Sequence, residues 1–505
     1  MAAVNNSQTD VASSMDINDL SEEKKDDTPA SSSDSIGEIA ATQPEVLTGY
    51  QLYLLIFSLS LAGFIYSLDV TIIVTVTAFV FIIIFEIGSL ICGVAPSSIV
   101  LVIGRAVAGI GGAGIFSGCL TIVAKSAAKE QRGRLVALIY VFSMIGIIIS
   151  PIIGGALTER ASWRWWGVTL AVLAFIRIPE NRGVTDEKKL TFVETINRLD
   201  PIGFALFGPT CVMLLIALQW GGSTHPWSSS TIIGLFIGSG LCLIVFLFWE
   251  NRRGETAMIP LSMLRQHVFY SSCLVTAAQY GSLNLFAYYL PVWFQTILGV
   301  DPILSGVYFM ATAATMIVTM FATGVVAAKL GTPAIFSILG NGIAVIGGGL
   351  MSTFTPSSHT ATWAGFQVLA GLGRGMTLQQ PINAVQKTLD PANMAVGTSI
   401  VVFCQFFGGA LIIALAEVDF SASLRSALKR YAPDVDANLI FDVGAAGVRG
   451  AVTGEQLPGV LKAYNQAIVN VFYLGCAASG LAFLAAWGMG LGRTKKSTTN
   501  DLEEA

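Results

Sequence analysis

Residues Gly146–Gly155 read Gly-Ile-Ile-Ile-Ser-Pro-Ile-Ile-Gly-Gly. They lie in an apolar run over about residues 135–157, which is long enough to cross a bilayer. Pro151 has no N–H, so the carbonyl of Ile147 loses its helical partner and the helix should bend. The glycines at both ends of this stretch have no side chain, so another helix or a ligand can approach the helix backbone closely. Such a span is typical of a pore-lining transporter helix, and a kinked helix in another polytopic membrane protein would have the same features.

The composition predicts an α-helical membrane protein. Of 505 residues, 53% are hydrophobic and 12% are charged, whereas soluble domains carry about 25% charged residues. Apolar runs of about 20 residues recur along the chain, for example at 201–220, 230–249, 334–352 and 361–381. This is the length of a transmembrane helix, so we predict that these segments cross the membrane. The net charge of −4 gives no basis for nucleic-acid binding. The seven cysteines contain no C-x-x-C pair and the three histidines are isolated, so we expect no metal site and no cofactor.

The first 48 residues form a polar tail. They are rich in Ser, Asp and Glu, a composition that cannot bury a core, so we predict disorder. They also lack the basic start and early apolar core of a signal peptide. The sequon Asn5-Asn6-Ser7 makes Asn5 a candidate glycosylation site, which matters only if this tail lies outside the membrane.

Three ionisable residues lie inside apolar runs, where charge is costly and function is the default hypothesis. Arg105 lies near the middle of the apolar segment 99–124, and the alternative to a functional role is a structural ion pair with Asp69 or Glu86. Asp69 could carry a proton, or it could cap the end of a truncated helix. Glu86 could also carry a proton, or it could snorkel or pair with Arg105.

Five small or helix-breaking residues recur at fixed spacing in the bent span: Gly146, Ser150, Pro151, Gly154 and Gly155. Their pattern resembles the antiporter motif G-x-x-x-G-P-x-x-G-G in the fifth helix of major facilitator drug:proton antiporters. Ser150 departs from the motif, and its hydroxyl can bond back to the helix and alter the bend. Together with Ala-Ser-Trp-Arg-Trp at 161–165, the resemblance narrows to the fourteen-span branch of fungal toxin and multidrug efflux pumps, over about residues 50–490.

The resemblance implies an all-α major facilitator fold, with two six-helix bundles and an extra helix pair that rock around a central cavity. The implied parts are a disordered cytoplasmic tail (1–48), an incomplete N-terminal bundle (49–178), a cytoplasmic loop (179–199), the extra helix pair (200–250), a C-terminal bundle (251–490) with an outer loop (417–467), and a cytoplasmic tail (491–505). The family's second helix has no counterpart, and its neighbours would join near Val76–Thr77. The sixth helix is also short. With the second helix missing, either the N-terminal tail lies outside, or part of residues 50–95 does not span the membrane, or the sequence is a mis-spliced form of a complete gene. Our hypothesis is the last, because both gaps are explained by it.

Arg105 and the glycines after it resemble the family's fourth-helix motif, which is linked to proton coupling. Gly109-Ile-Gly111-Gly112-Ala-Gly114 also spells G-x-G-x-x-G, but the dinucleotide fingerprint needs a βαβ unit, so we predict close helix packing instead. No G-x-x-x-x-G-K-[ST] motif occurs, so ATP is not expected to drive the protein. An ion gradient remains, and the family implies protons.

The second half offers candidates for a substrate cavity. Asn284 and Tyr288 belong to an aromatic cluster with polar tips that suits bulky, mostly apolar ligands, and an interfacial aromatic belt is the alternative. Gln379 and Gln380 follow a glycine-rich run that resembles the twelfth-helix pattern of fungal members. Arg374 within that run belongs either to this pattern or to a cytoplasmic helix end.

The predicted function is proton-coupled export of a small hydrophobic compound, such as a fungal secondary metabolite, toxin or drug. The predicted protein is a monomeric multi-pass transporter of the plasma membrane, with the vacuolar membrane as the other location, and it is not an enzyme. One alternative is an uptake porter of the same fold, for instance for iron-siderophores. The other is a non-transporting or degenerate membrane isoform, which the missing helix favours.

Overall fold

The computed structural model of the protein describes most of residues 72–490. The described ranges are 72–127, 131–143, 146, 200–222, 225–254, 257–390, 393–452 and 454–490. The predicted site residues outside these ranges are Asn5, Asp69, Ser150, Pro151, Gly154 and Gly155. What was predicted for them stays a prediction.

Within the described ranges the chain is helical, and its β-type pairing is one isolated bridge between Gly221 and His225. The helices are α1 (Ile72–Val94), α2 (Ser98–Ser126), α3 (131–143), α4 (Pro201–Trp220), α5 (Ser230–Arg253), α6 (His267–Trp293), α7 (Pro302–Leu330), α8 (Pro333–Met351), α9 (Thr360–Thr377), α10 (Gln380–Thr388), α11 (Met394–Tyr431), α12 (Ala437–Ala451) and α13 (Leu457–Ala486). The predicted all-α class is confirmed.

Seven helices of the described chain are long and apolar enough to cross a membrane. They comprise Ile99–Ala124, Pro201–Trp220, Ser230–Arg253, Pro302–Ala327, Pro333–Met351, Met394–Tyr431 and Leu457–Met489. Large apolar side chains such as Phe204, Ile244 and Leu484 point outward from these helices. An outward apolar surface of this kind matches lipid and not water, so the predicted polytopic membrane protein is confirmed.

Helices α1 and α2 pack tightly through glycines. A side chain at Gly88 would overlap the backbone of Ala108, and one at Gly111 would overlap the backbone of Phe85. Gly114 lies directly against an aromatic ring of α1. The glycine run of α2 is therefore a helix-packing surface, as its membrane context predicted.

Helix α1 is continuous through Val76–Thr77. The predicted join between the family's first and third helices therefore falls inside one helix. Whether a helix is missing there remains a prediction, because the residues before Ile72 lie outside the described ranges.

Helix α6 is the centre of the C-terminal half. It packs against α11 and α13, while α9 packs against α7 and α8. Its buried aromatic residues Phe286 and Trp293 belong to the main core, and Trp293 Nε1 donates to Oδ1 of Asn465 on α13 over 2.8 Å. Pro291 lies in the last turn of α6, and the π-helical turn Phe294–Leu298 follows it. Because proline removes one N–H from the ladder, this change of helical pattern has a local cause.

Helices α4 and α5 pack against each other in the segment predicted to hold the extra helix pair, and their role as an extra pair stays a prediction. Asp200 caps α4 by accepting from the backbone N–H of Gly203, and it also accepts from Nε1 of Trp249 on α5 over 3.0 Å. Glu250 accepts from the backbone N–H of Ile259 over 2.7 Å. These bonds hold the pair together and attach it to the segment that leads into α6.

One predicted crossing, residues 361–381, is interrupted in the structure. Helix α9 ends at Thr377 and α10 begins at Gln380, with Pro381 in its first turn. Proline fits a first turn because its missing N–H would have no helical partner there.

The segment 417–467, expected as an outer loop, is largely helical. Helix α11 continues to Tyr431, α12 follows, and α13 begins at Leu457. Arg449 of α12 donates to the backbone carbonyls of Thr296 (3.1 Å) and Ile297 (2.6 Å). This contact attaches α12 to the π-helical turn after α6.

Candidate functional site

A buried hydrogen bond joins the two halves of the described chain. Tyr140 on α3 is 1% exposed, and its hydroxyl donates to Oε1 of Gln405 on α11 over 2.7 Å. Gln405 is equally buried. A buried polar atom that loses its partner costs about 1–3 kcal/mol, so this bond specifies how α3 lies against α11.

Aromatic rings surround this bond. Phe116 on α2 lies edge-on to Tyr140, with ring centroids 5.5 Å apart, and edge-on to Phe406 at 5.8 Å. Tyr280 on α6 lies edge-on to Phe406 at 5.6 Å. These separations are favourable for aromatic pairs. We call Phe116, Tyr140, Tyr280, Gln405 and Phe406 the interhalf junction, because two of them precede residue 144 and three follow residue 279.

The contact between the halves continues along α11 towards its first residue. The hydroxyls of Ser117 and Ser399 are 2.7 Å apart. Nη1 of Arg132 lies 3.6 Å from Sδ of Met394. Ser399 and Met394 precede Gln405 by roughly two and three helical turns, so one side of α11 carries the whole contact.

Two predicted cavity residues, Asn284 and Tyr288, follow Tyr280 at four-residue intervals and share its face of α6. A side chain at Gly409 of α11 would lie 2.6 Å from Nδ2 of Asn284 and 3.1 Å from the Tyr280 ring. The glycine therefore lets α11 approach this face. Asn284 is half-buried and Tyr288 is 56% exposed, so the stripe runs outward from the junction.

The other two predicted cavity residues lie at the break between α9 and α10. Nε2 of Gln379 donates to the carbonyl of Met320 on α7 over 2.8 Å. A side chain at Gly324 would meet both Gln379 and Ala137 of α3, so three parts of the chain converge there. Gln380 is fully buried, and neither of its amide atoms has a hydrogen-bond partner in the described structure.

Residues 46–179 and 199–413 match the sequence model of the Major Facilitator Superfamily. The chain belongs to the Major Facilitator Superfamily. The matched residues include α1 to α10 and most of α11, and therefore all of the interhalf junction.

Curated fungal proteins of this superfamily are similar to the chain. MFS-type transporter pigP of Monascus ruber is 42% identical over 81% of this chain and 73% of its own length. Efflux pump mlcE of Penicillium citrinum is 40% identical over 84% of this chain and 79% of its own length. Efflux pump mokI of Monascus pilosus is 41% identical over 85% of this chain and 81% of its own length.

Two of the predicted proton-coupling residues of this superfamily member are described. Arg105 is exposed on α2 and forms no ion pair with Glu86 in the described structure. Oε2 of Glu86 is buried without a hydrogen-bond partner among the described residues. The structure therefore contradicts an Arg105–Glu86 pair, because the two side chains do not meet. A role for either residue in proton coupling stays a prediction.

Gly146 is the described member of the antiporter motif. It is helical and exposed, and the space where a side chain would stand is empty to 4 Å within the described structure. No described residue approaches this surface closely, so the expected close approach of another helix or a ligand at the start of the motif stays a prediction.

Arg374 lies in the last turn of α9, so its predicted place at a helix end is correct. Its side chain is nevertheless fully buried, and its guanidinium carbon lies 4.4 Å from the centroid of the Phe286 ring on α6. The structure therefore contradicts a solvent-exposed helix end, and a cytoplasmic position of this end stays a prediction.

Sequence reasoning did not select Tyr140, Gln405, Phe116 or Phe406. A polar residue within an apolar run is a usable signal for Gln405, and Tyr140 lies in the apolar run that was analysed for its proline. Their pairing spans 265 positions, however, and no local pattern reports a contact of that range.

Among the described residues, no cluster of three His, Cys, Asp or Glu side chains could hold a metal ion. The described cysteines are all free thiols.

Proposed function

We propose that this transporter is a proton-driven exporter of a small hydrophobic compound of the fungal secondary metabolite, toxin or drug class. The observation that carries the proposal is the similarity, over more than four-fifths of the chain, to proteins named efflux pumps. In this proposal the protein works as a monomer of the plasma membrane and belongs to the fourteen-span branch, with the second helix of that branch missing.

The interhalf junction supports a substrate path between the halves. Its edge-on aromatic rings offer apolar surface, and the hydroxyl and amide groups of Tyr140 and Gln405 offer a few polar contacts, which is the usual make-up of small-molecule sites. Asn284 and Tyr288 extend this surface along α6. In this proposal, alternating access breaks and remakes the junction while the substrate passes.

The chain contains no phosphate-binding Walker motif, which leaves an ion gradient as the energy source in this proposal. The choice of protons rests on the resemblance to drug:proton antiporters. Arg105, Glu86 and Asp69 remain the candidate coupling residues. In the proposal Pro151 provides the bend that lets the two halves move, as the antiporter motif implies.

The test is expression of this chain in a yeast strain that lacks its endogenous drug pumps. We expect faster loss of preloaded hydrophobic fluorescent compounds, and we expect a protonophore to stop it while ATP depletion at a maintained pH gradient does not. Pro151→Ala should slow the loss at least fivefold. Pro209→Ala is the matched control, because Pro209 also lies inside a helix but in the extra pair.

Other outcomes would support a different function. Accumulation of a ferric siderophore with no export would indicate the uptake porter, an alternative that the antiporter motif argues against, although the Ser150 departure weakens that argument. No movement of any compound, with the protein present at the membrane, would indicate the non-transporting isoform. Export that stops with ATP depletion while the pH gradient persists would overturn proton coupling.

A further inference from the structure

Arg374 is a buried cation without a counter-charge. Its side chain has no exposed surface, and none of its three guanidinium nitrogens has a hydrogen-bond partner in the described structure. It also forms no ion pair with any described Asp or Glu. Arginine does not lose its proton in proteins, and a buried charge is costly unless it is paired. The site therefore needs an acceptor.

The ring of Phe286 compensates part of this charge. Its centroid lies 4.4 Å from the guanidinium carbon, and the ring face attracts a cation through its quadrupole. Phe286 is held in place by stacking on Phe472, with centroids 5.0 Å apart, and by Gly348 and Gly475 against its edge. The ring contacts the guanidinium carbon, whereas none of the guanidinium nitrogens has an acceptor in the described structure.

Unpaired amide groups lie on the same helix faces. Gln367 precedes Arg374 by seven residues on α9, so the two share a face. Its Oε1 accepts from the hydroxyl of Thr312 over 3.1 Å, while its Nε2 has no acceptor in the described structure. Gln279 precedes Phe286 by seven residues on α6, and neither of its amide atoms has a partner there.

More unpaired polar groups continue from Gln279 towards the start of α6 and the end of α10. Helix α10 packs against α6, α8 and α11, and all four helices contribute. The buried residues with unpaired polar atoms are Ser272, Thr276, Asn341, Gln380, Asn383, Gln386 and Thr398. Buried polar groups normally bind protein partners or ordered water, so this polar seam of the C-terminal bundle is the kind of site that holds water.

We propose that the polar seam leads to a binding site for a small inorganic monovalent anion, with chloride as the candidate, at the guanidinium of Arg374. The described seam contains neutral amides and hydroxyls and no carboxylate, so its electrostatics select an anion. The ion is expected to be small because the helices around Arg374 lie close together. Gly371 and Gly375 let α9 contact the backbone of Thr312 and Met316 on α7. The proposal concerns binding and does not depend on the direction of transport.

The test uses the purified full-length protein in detergent. Its unfolding temperature is followed by tryptophan fluorescence while sodium chloride replaces sodium gluconate at constant ionic strength. We expect a saturable rise of about 3 °C with chloride. Arg374→Gln should abolish the rise. Arg252→Gln is the matched control, since Arg252 also lies over a ring (Phe248, 4.6 Å) but is exposed, and it should keep the full response.

Two further outcomes decide the case. An equal unfolding temperature in chloride and gluconate for the wild-type protein would overturn the proposal and leave water as the occupant. A chloride response that persists in Arg374→Gln would also overturn it. If Arg374→Gln does not fold, Arg374→Lys serves instead, because lysine keeps the charge but lacks the planar guanidinium. We expect the chloride concentration at half of the rise in unfolding temperature to increase at least threefold in this variant. An unchanged concentration would contradict the assignment.

Discussion

Replacement of Tyr140 by phenylalanine tests whether the interhalf junction holds the halves together. Tyr140→Phe removes one hydroxyl and leaves Oε1 of Gln405 buried without its donor at 2.7 Å. A hydrogen bond contributes about 0.5–1.5 kcal/mol net, and an unsatisfied buried acceptor raises the loss to about 1–3 kcal/mol. Because the bond joins α3 to α11, the loss falls on conformers in which the halves meet. About 1.4 kcal/mol changes the ratio of joined to separated conformers tenfold.

The assay is a distance measurement between spin labels on the two halves. Labels at Leu138→Cys on α3 and Leu415→Cys on α11, in a background without native cysteines, would report the separation; both positions are exposed. We expect Tyr140→Phe to increase the separated population. Tyr289→Phe is the matched control, since its hydroxyl donates to Glu417 over 3.0 Å within the C-terminal half and its loss should leave the distance unchanged.

If Tyr140→Phe and Tyr289→Phe shift the distance distribution equally, or if neither shifts it, the Tyr140–Gln405 bond does not hold the halves together. A double-mutant cycle with Gln405→Leu provides an independent measure. Two residues in direct contact should be non-additive, with a coupling energy of about 1 kcal/mol. Additive effects would show that the two side chains act separately.

Three further changes test other contacts of the fold. Gly111→Val should destabilise the α1–α2 contact by about 3 kcal/mol, because the new side chain overlaps the backbone of α1. The elution profile of the folded protein should therefore change. Gly109→Val is the control, because Gly109 faces open space, and it should leave the elution profile unchanged. Arg449→Gln should lower the free energy of unfolding by about 1 kcal/mol, because it removes two hydrogen bonds to backbone carbonyls. The unfolding temperature should fall accordingly. Asp200→Ala should lower the free energy of unfolding by about 2 kcal/mol, because it removes a helix cap and the hydrogen bond from Trp249. A shift of tryptophan emission should accompany unfolding of the α4–α5 pair. Unchanged emission and stability would argue against that bond.

The helices could be predicted because each crossing is a local property. An apolar run of about 20 residues has one stable solution in a bilayer, which is a helix with its backbone paired internally. The predicted crossings at 201–220 and 230–249 correspond to α4 and α5, and the predicted crossing at 334–352 corresponds to α8. Where tertiary contacts extend a helix, as in α11, the apolar run ends before the helix does.

Side-chain partners were less predictable. Glu86 and Arg105 were plausible partners by chemistry, yet they do not meet, because their helices approach through glycines that fix another set of facing residues. Arg374 looked equally suited to a helix end and to a buried motif, since a window of local sequence contains no information on what lies across from it.

From its sequence alone, this chain could be identified as a helical membrane protein, because the length of an apolar run acts within one helix. Its major facilitator kind followed from the resemblance of the motif at Gly146–Gly155 to that of a known family. The tertiary structure alone decided that Tyr140 bonds to Gln405 and that Arg374 lies on Phe286 away from any described carboxylate. The physical reason is that these contacts depend on the rotation and depth of separate helices, which are set by packing and not by any single helix.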